Sequence, residues 1–385
     1  MEDEGMSLLF LGAMDTLHLL LYTFGQFYNG SLVDLKGPRV LLSAGLVGAA
    51  ISVGLFGLLG FMSDLFWYPL LFHLLLTVLW GINGYAQSTG WPASIKALTP
   101  WFKDNKGLVM GLWTTSYTIG GILGTVLATY LIKWFNWKTS FIIPAIFAVI
   151  TGAISYQLLP EDPEKSSPSR EHKKNTPAKV SHFQQIKEAF TVSGIVYISF
   201  SYFCVKLIRY TLLYWLPYYL SYSLHYDQTT SGLMSTWVEI GGTFGGIFIG
   251  YISDYFPGKS VLVAAPCSLV ISMGLFFFQG LPNGDNLFMT GGLLFLIGFY
   301  TAAPEILLSG VVVQDIAGKE NLGSVVGVVN GVGSFGSALQ GILVATIAKW
   351  SWDYVFYLLI VLSALSFVSL IPPCLWIFNK KVKTT

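Results

Sequence analysis

The stretch Gly30-Ser-Leu-Val-Asp34-Leu-Lys-Gly37-Pro-Arg39 lies between two apolar runs, and Gly250-Tyr-Ile-Ser-Asp254-Tyr-Phe-Pro-Gly258-Lys259 has the same form. Each reads G-x-x-x-D followed by a glycine and a cation, and the two aspartates are 220 positions apart. Two further pairs keep nearly that register. Gly107-Leu-Val-Met-Gly111 matches Gly323-Ser-Val-Val-Gly327 at an offset of 216, and Trp134-Phe-Asn-Trp137 matches Trp350-Ser-Trp352. One such pair arises easily by chance; three in register do not. The long period reads as two parallel structural repeats.

Composition identifies the material of the repeats. The 385 residues are 54% hydrophobic and 11% charged, with a mean hydropathy of +0.63. Soluble domains carry about 25% charged residues. Apolar runs near twenty residues cross a bilayer as helices. Eleven are expected, at 14–33, 40–62, 67–95, 107–132, 139–159, 190–221, 231–253, 259–280, 287–312, 322–348 and 354–377. The expected fold class is an all-α polytopic membrane protein, and its 41 glycines suit closely packed membrane helices. The net charge of +1 gives no case for nucleic acid, so the lipid bilayer is the expected surrounding partner. Cys204, Cys267 and Cys374 have no metal or redox spacing, and no metal or cofactor is expected.

The segment Pro160–Lys187, rich in Pro, Ser and Lys, reads as a flexible linker. The expected organisation is a membrane half at 1–159, a linker at 160–188, and a second half with a tail at 189–385. Nineteen Lys and Arg lie outside the spans, and sixteen of them fall in one alternating set of loops and the tail. By the positive-inside rule that set, with the linker and the C-terminus, is cytoplasmic. The repeat register also exposes an imbalance. The second G-x-x-x-D follows two spans and the first follows one, so five spans face six. The expectation is an N-terminally shortened version of a twelve-span protein.

The candidate site lies in Lys206–Leu220, KLIRYTLLYWLPYYL. Lys206 and Arg209 are three residues apart and share one helix face. A cation at the bilayer centre costs at least about 2.5–3.5 kcal/mol, so it marks a substrate path or meets a partner. Arg209 cannot shed its charge, and its planar fork suits phosphate oxygens. The reading is an anion-binding wall; the alternatives are pairing with an acid on a neighbouring helix and snorkelling to the interface. Glu305, after Pro304 inside a span, is a candidate partner for a cavity cation. Tyr214 is a candidate lining residue, with Tyr210, Trp215, Tyr218 and Tyr219 divided between lining and interfacial roles. His18 and His73 are read as packed histidines before proton relays. Asp15 is read as a helix cap, and Asn83 and Asn330 as interhelical glue.

The paired motifs resemble the major facilitator superfamily, whose G-x-x-x-D-x-x-G-x-[RK] loop is matched here by Gly30, Asp34, Gly37 and Arg39. Gly250 and Asp254 repeat it. The resemblance implies a gating role for these residues, with acid and cation clamping neighbouring helices at their cytoplasmic ends. Gln87-Ser-Thr-Gly90-Trp91-Pro92, Trp101-Phe102, Lys106-Gly107 to Trp113, Arg209-Tyr210 and Trp215-Leu216-Pro217-Tyr218-Tyr219-Leu220 resemble the organophosphate:phosphate antiporters. Among these the chain is most similar to the eukaryotic sugar-phosphate exchangers (solute carrier 37), and the likeness covers nearly the whole sequence.

The resemblance implies exchange of a phosphorylated sugar or glycerol phosphate for inorganic phosphate, held between two arginines. Arg209 matches the second-half arginine, and the first-half arginine has no position in this chain. It also implies substrate-binding positions at Tyr22, at Gln26 in place of a lysine, at Tyr117 in place of a histidine, at Lys206 in place of a tyrosine, and at Glu239. Glu239 is an expected partner for Lys206 or Arg209. An empty cavity with unpaired cations is expected to resist closing, so that loading by either anion permits the exchange step. A competing reading is a shortened, transport-inactive isoform that binds or regulates a partner. The tail, with lysines third and fifth from its end, resembles a dilysine retrieval signal and implies the endoplasmic reticulum; ordinary positive-inside lysines explain it nearly as well.

Overall fold

A computed structural model describes residues 8–63, 69–102, 104–160, 181–281, 286–318 and 320–382. Regular structure among them is helical throughout. The helices are α1 (Leu8–Lys36), α2 (Pro38–Phe61), α3 (Pro69–Gln87), α4 (Gly90–Leu98), α5 (Lys106–Trp134), α6 (Thr139–Leu158) and α7 (His182–Thr191). They continue as α8 (Ile195–Tyr222), α9 (Gln228–Asp254), α10 (Val261–Gln279), α11 (Leu287–Ile306), α12 (Val312–Ile316), α13 (Leu322–Ala348) and α14 (Trp352–Val382). Helices dominate because a backbone in lipid must satisfy its polar groups internally.

Among the described residues, eight helical segments are both long and apolar enough to span a membrane. The remaining three expected spans correspond to α1, α5 and α9, which have 29, 29 and 27 residues. Three details differ from the sequence-based spans. The third span is broken into α3 and α4, where the hydroxyls of Ser88 and Thr89 turn back to the carbonyls of Tyr85 and Ala86. The ninth is α11 and α12 joined by a π-helical turn, Leu307–Val311, just beyond Pro304. Residues 182–191 form a helix, α7, where a flexible linker was expected up to 188. Linker residues 161–180 and the lysine-bearing tail at 383–385 lie outside the described residues.

The chain divides into two compact units. The first comprises Met1–Trp101, Tyr117–Ala189 and Gly318–Gly331; the second comprises Phe102–Ser116, Phe190–Ala317 and Val332–Thr385. The first packs α2 against α6, α3 and α4. Its core holds Met14, Phe56, Phe72 and Leu76, ringed by Trp80, Trp137 and Phe141. The second packs α8, α9, α10, α11 and α14 around Leu207, Ile208, Leu212, Ile271, Leu275, Leu294, Ile297, Phe356 and Leu359.

Short pieces of α5 and α13 are exchanged between the units, and the repeated motif explains why. In the first unit the Asp34 carboxylate accepts the Gly323 N–H at 2.9 Å, the Ser324 N–H at 2.6 Å and the Ser324 hydroxyl at 2.7 Å. It also pairs with Lys96 of α4. In the second unit Asp254 accepts the N–H groups of Gly107 at 2.6 Å and Leu108 at 2.8 Å. Each aspartate therefore supplies the helix N-terminus of the other repeat with the acceptors its first turn lacks, where negative charge is favoured. Gly30 allows this approach, since a Cβ there would lie 2.6 Å from the Gly323 carbonyl oxygen. Gly37 adopts φ +85, a left-handed conformation suited to glycine, before Pro38 opens α2. Arg39 reaches the Tyr156 carbonyl on α6 and lies 5.0 Å from the Tyr156 ring centroid.

A glycine seam joins α9 to α11. A Cβ at Gly298 would collide with the Val238 carbonyl, and one at Gly245 with the Phe299 carbonyl. Such small residues let membrane helices approach closely.

Two outcomes follow for the purified protein. Asp34→Asn and Asp254→Asn each lower thermal stability, by about 1.5–3 kcal/mol for loss of a charged hydrogen-bond acceptor, while Asp104→Asn at an exposed position leaves the melting temperature unchanged. Gly298→Leu destabilises by about 1–3 kcal/mol or more through overpacking. Gly292→Leu, on the same helix with open space around it, does not.

Candidate functional site

The site starts from a cost. Arg209 and Lys206 project from α8, an apolar helix, and their side chains are only 15% and 13% exposed. Burying such charges is tolerable only if they are met by opposite charge and hydrogen bonds. The two neighbouring helices supply these. The seam holds α9 and α11 together, so that Glu239 of α9 and Glu305 of α11 converge on one guanidinium.

The pairing with Glu239 is bidentate. Arg209 Nη1 donates to Glu239 Oε1 and Nη2 to Oε2, each at 2.7 Å, in the fork-to-fork arrangement that only arginine offers. Glu305 Oε2 lies 3.3 Å from Arg209 Nε, and Glu305 Oε1 lies 3.9 Å from Lys206 Nζ. The Lys206 ammonium also lies 5.5 Å from the Tyr202 ring and 5.1 Å from the Tyr210 ring. Gly242, one turn beyond Glu239, lies beside the guanidinium, where a Cβ would make an ordinary contact with Nη1 at 3.9 Å.

This arrangement corrects one expectation. The cations are not unpaired: Arg209 and Lys206 face Glu239 and Glu305. The cost of burying bare cations therefore does not set the resistance of the site to closing. Of the partners considered from sequence, both glutamates are engaged, as the pairing reading of Arg209 expects.

The other expected site residues are placed as follows. Tyr214 is exposed, its ring 5.9 Å from that of Tyr210. Tyr22, Gln26 and Tyr117 belong to the first unit. Tyr22 is half-buried and Tyr117 is 75% exposed. Gln26 is fully buried, and both polar atoms of its amide lack a hydrogen-bond partner among the described residues. The lesser candidates resolve into structural roles. Trp215 donates to Gln340 at 2.8 Å, and Tyr219 packs on Trp352 and Phe356. Tyr218 stacks on Tyr222. His18 bonds the Trp80 carbonyl at 3.1 Å and packs on its ring. His73 packs against Phe10 and Phe72.

Asp15 is not a cap. It lies inside α1 and accepts the Trp80 indole N–H at 3.0 Å, because the helix starts at Leu8, well before the expected span. Asn83 ties α3 to the Ala49 carbonyl of α2 at 3.1 Å, as interhelical glue does. Asn330 is buried with its Nδ2 unpartnered among the described residues.

Two contacts escaped the sequence reading. Asp315 of α12 pairs with Lys106 at 3.2 Å and accepts the Ser260 hydroxyl at 2.9 Å. His182 of α7 lies 2.9 Å from the Ser31 hydroxyl and against the Tyr28 ring. Polar residues beside loops gave no signal of these distant partners.

Comparison with known proteins agrees with this architecture. The family model described as Major Facilitator Superfamily matches residues 1–341 and 198–384. "Putative glycerol-3-phosphate transporter 3" of Arabidopsis thaliana is 30% identical over 388 residues, covering 92% of this chain and 74% of the relative. "Glucose-6-phosphate exchanger SLC37A2" of Xenopus laevis is 30% identical over 394 residues, covering 91% of this chain and 77% of the relative. Among solved structures, the proton:xylose symporter XylE bound to 6-bromo-6-deoxy-D-glucose superposes with a TM-score of 0.71 at 14% identity, over 94% of this chain and 85% of that one. That likeness speaks for the fold alone. With the repeated G-x-x-x-D motif, the helical architecture of the described residues and these matches in hand, the chain belongs to the Major Facilitator Superfamily.

Proposed function

We propose that this chain is a secondary transporter that exchanges a phosphorylated sugar or glycerol phosphate for inorganic phosphate by alternating access. The observation that carries the reading is the Arg209 guanidinium inside an apolar helix, clustered with Lys206, Glu239 and Glu305. A phosphate ester leaving water needs charge-assisted donors to replace its hydration, and a planar fork offers two at once. The relatives named for glycerol 3-phosphate and glucose 6-phosphate support the substrate class.

Arg209 and Lys206 bind the phosphate, and Glu239 orients the guanidinium. Tyr22, Gln26, Tyr117 and Tyr214 face the organic part of the substrate. The buried, unpartnered amide of Gln26 favours its role, because an orphaned polar group in a core is costly unless a ligand or water meets it. The residues Gly30, Asp34, Gly37 and Arg39, with Gly250 and Asp254, latch and release the helix N-termini as access alternates. The reaction is movement of an anion, with no covalent change to the organic substrate. The protein resides in the endoplasmic reticulum membrane with its linker and C-terminus cytoplasmic, a reading supported by the lysine distribution.

The test is labelled-phosphate uptake into proteoliposomes preloaded with glucose 6-phosphate or with phosphate. Uptake that depends on the internal anion is expected, and uptake indifferent to it overturns exchange. Arg209→Lys keeps the charge and loses the fork, so it is expected to reduce exchange at least tenfold; wild-type rates in that variant refute the role of Arg209.

A further inference from the structure

The cluster on α8, α9 and α11 is electrically self-sufficient, and this creates a problem for a phosphate ester. The ester is close to dianionic above about pH 6. Added unchanged to two cations and two carboxylates, it leaves the site with two uncompensated negative charges inside a membrane span. Nor is the guanidinium open to it. Its Nη1/Nη2 edge is filled by Glu239 and its Nε by Glu305. Three of its five N–H groups are taken, and both edges that offer two parallel donors are engaged, so an anion that grips Arg209 bidentately must displace one carboxylate.

The two carboxylates are not equally held. Glu239 makes two hydrogen bonds of 2.7 Å. Glu305 makes longer contacts, 3.3 Å to Arg209 and 3.9 Å to Lys206, and it is 24% exposed. It follows Pro304 and lies two residues before the π-helical turn, where the regular α-helical ladder ends. Such turns inside helices recur at functional positions.

Other acids do not compete for the role. Among the described residues of this unit, Asp254 is engaged by Gly107 and Leu108, and Asp315 by Lys106 and Ser260. Asp353 of α14 bonds Gln279 and Ser351, Asp227 bonds Thr230, and Asp104 is exposed. The helix α10 and the stretch of α13 at 332–348 carry no charged residue. The remaining titratable groups at the cluster are the phenols of Tyr202 and Tyr210, facing Lys206.

We infer that Glu305 is the exchangeable ligand of Arg209 and the proton carrier of the site. An incoming phosphate ester takes its place on the guanidinium, and Glu305 withdraws as the neutral acid, its carboxylate having taken one proton from the water that admits the substrate. One O–H bond forms on Glu305 as one breaks in the hydronium or buffer acid of that water, whose conjugate base stays in solution. When the ester leaves, the proton leaves and Glu305 returns to Arg209. The ester therefore travels with a proton, and a one-for-one exchange of two such anions moves no net proton. The inference rests on the reading of Arg209 as the phosphate clamp.

Calorimetric titration of the purified full chain with glucose 6-phosphate at pH 7.5, in buffers of differing ionisation enthalpy, counts protons taken up on binding. The ester is already dianionic at that pH, so its own titration contributes little. The expected count for the wild type is about one, with affinity falling about tenfold per unit between pH 7.5 and 9. Glu305→Gln is expected to bring the count near zero and flatten the pH dependence, while Asp353→Asn, on α14 away from the cluster, keeps the uptake. Wild-type binding with no proton uptake overturns the inference and leaves the clamp standing. The absence of any binding by the folded wild type overturns both. If Glu305→Gln fails to fold, the wild-type proton count still decides, and uptake retained in a folded Glu305→Gln assigns the proton elsewhere and overturns the inference.

Discussion

A guanidinium that cannot lose its proton sits in the middle of a 28-residue apolar helix, and the second unit is built to tolerate it. Arg209 needs a partner for each edge of its fork, and no residue on α8 provides one. The solution is a pair of neighbouring helices whose glycines permit backbone contact, each bringing one glutamate. The same close approach that satisfies the charge fixes α8, α9 and α11 together, so the packing and the electrostatics are one problem with one answer. A buried ion pair adds little stability compared with a well-packed apolar replacement. Its presence here is therefore better explained by a task, the recognition of an anion, than by holding the fold together.

The second organising constraint is the aspartate at each repeat. Every helix begins with N–H groups that lack partners. For α5 and α13 those partners come from the other repeat: Asp254 serves Gly107 and Leu108, and Asp34 serves Gly323 and Ser324. This reciprocity joins two motifs that look independent in the sequence. The G-x-x-x-D loop and the G-x-x-x-G helix start are two sides of one contact, present once in each unit.

Much of this was legible in the residues. Helical spans follow from apolar runs of membrane length, and the shared face of Lys206 and Arg209 follows from their three-residue spacing. The parallel repeat followed from motifs in register, although the contact partner of each motif lay some 150–290 positions away and left no local trace. Glu239 and Glu305 stood out as acids in apolar helices, but that both would engage one arginine depends on how closely α9 and α11 approach. Local chemistry also misled at Asp15, where a cap residue near an expected helix start proved to lie inside a longer helix. The break between α3 and α4 and the π turn after Pro304 depend on tertiary packing that propensity does not encode.

The most direct test of the account is a structure of the full chain determined with glucose 6-phosphate bound. The account predicts the phosphate within hydrogen-bond distance of the Arg209 guanidinium, with Glu239 still on its fork and Glu305 moved off Nε. A bound ester elsewhere, with the Arg209–Glu239–Glu305 cluster unchanged, would contradict it.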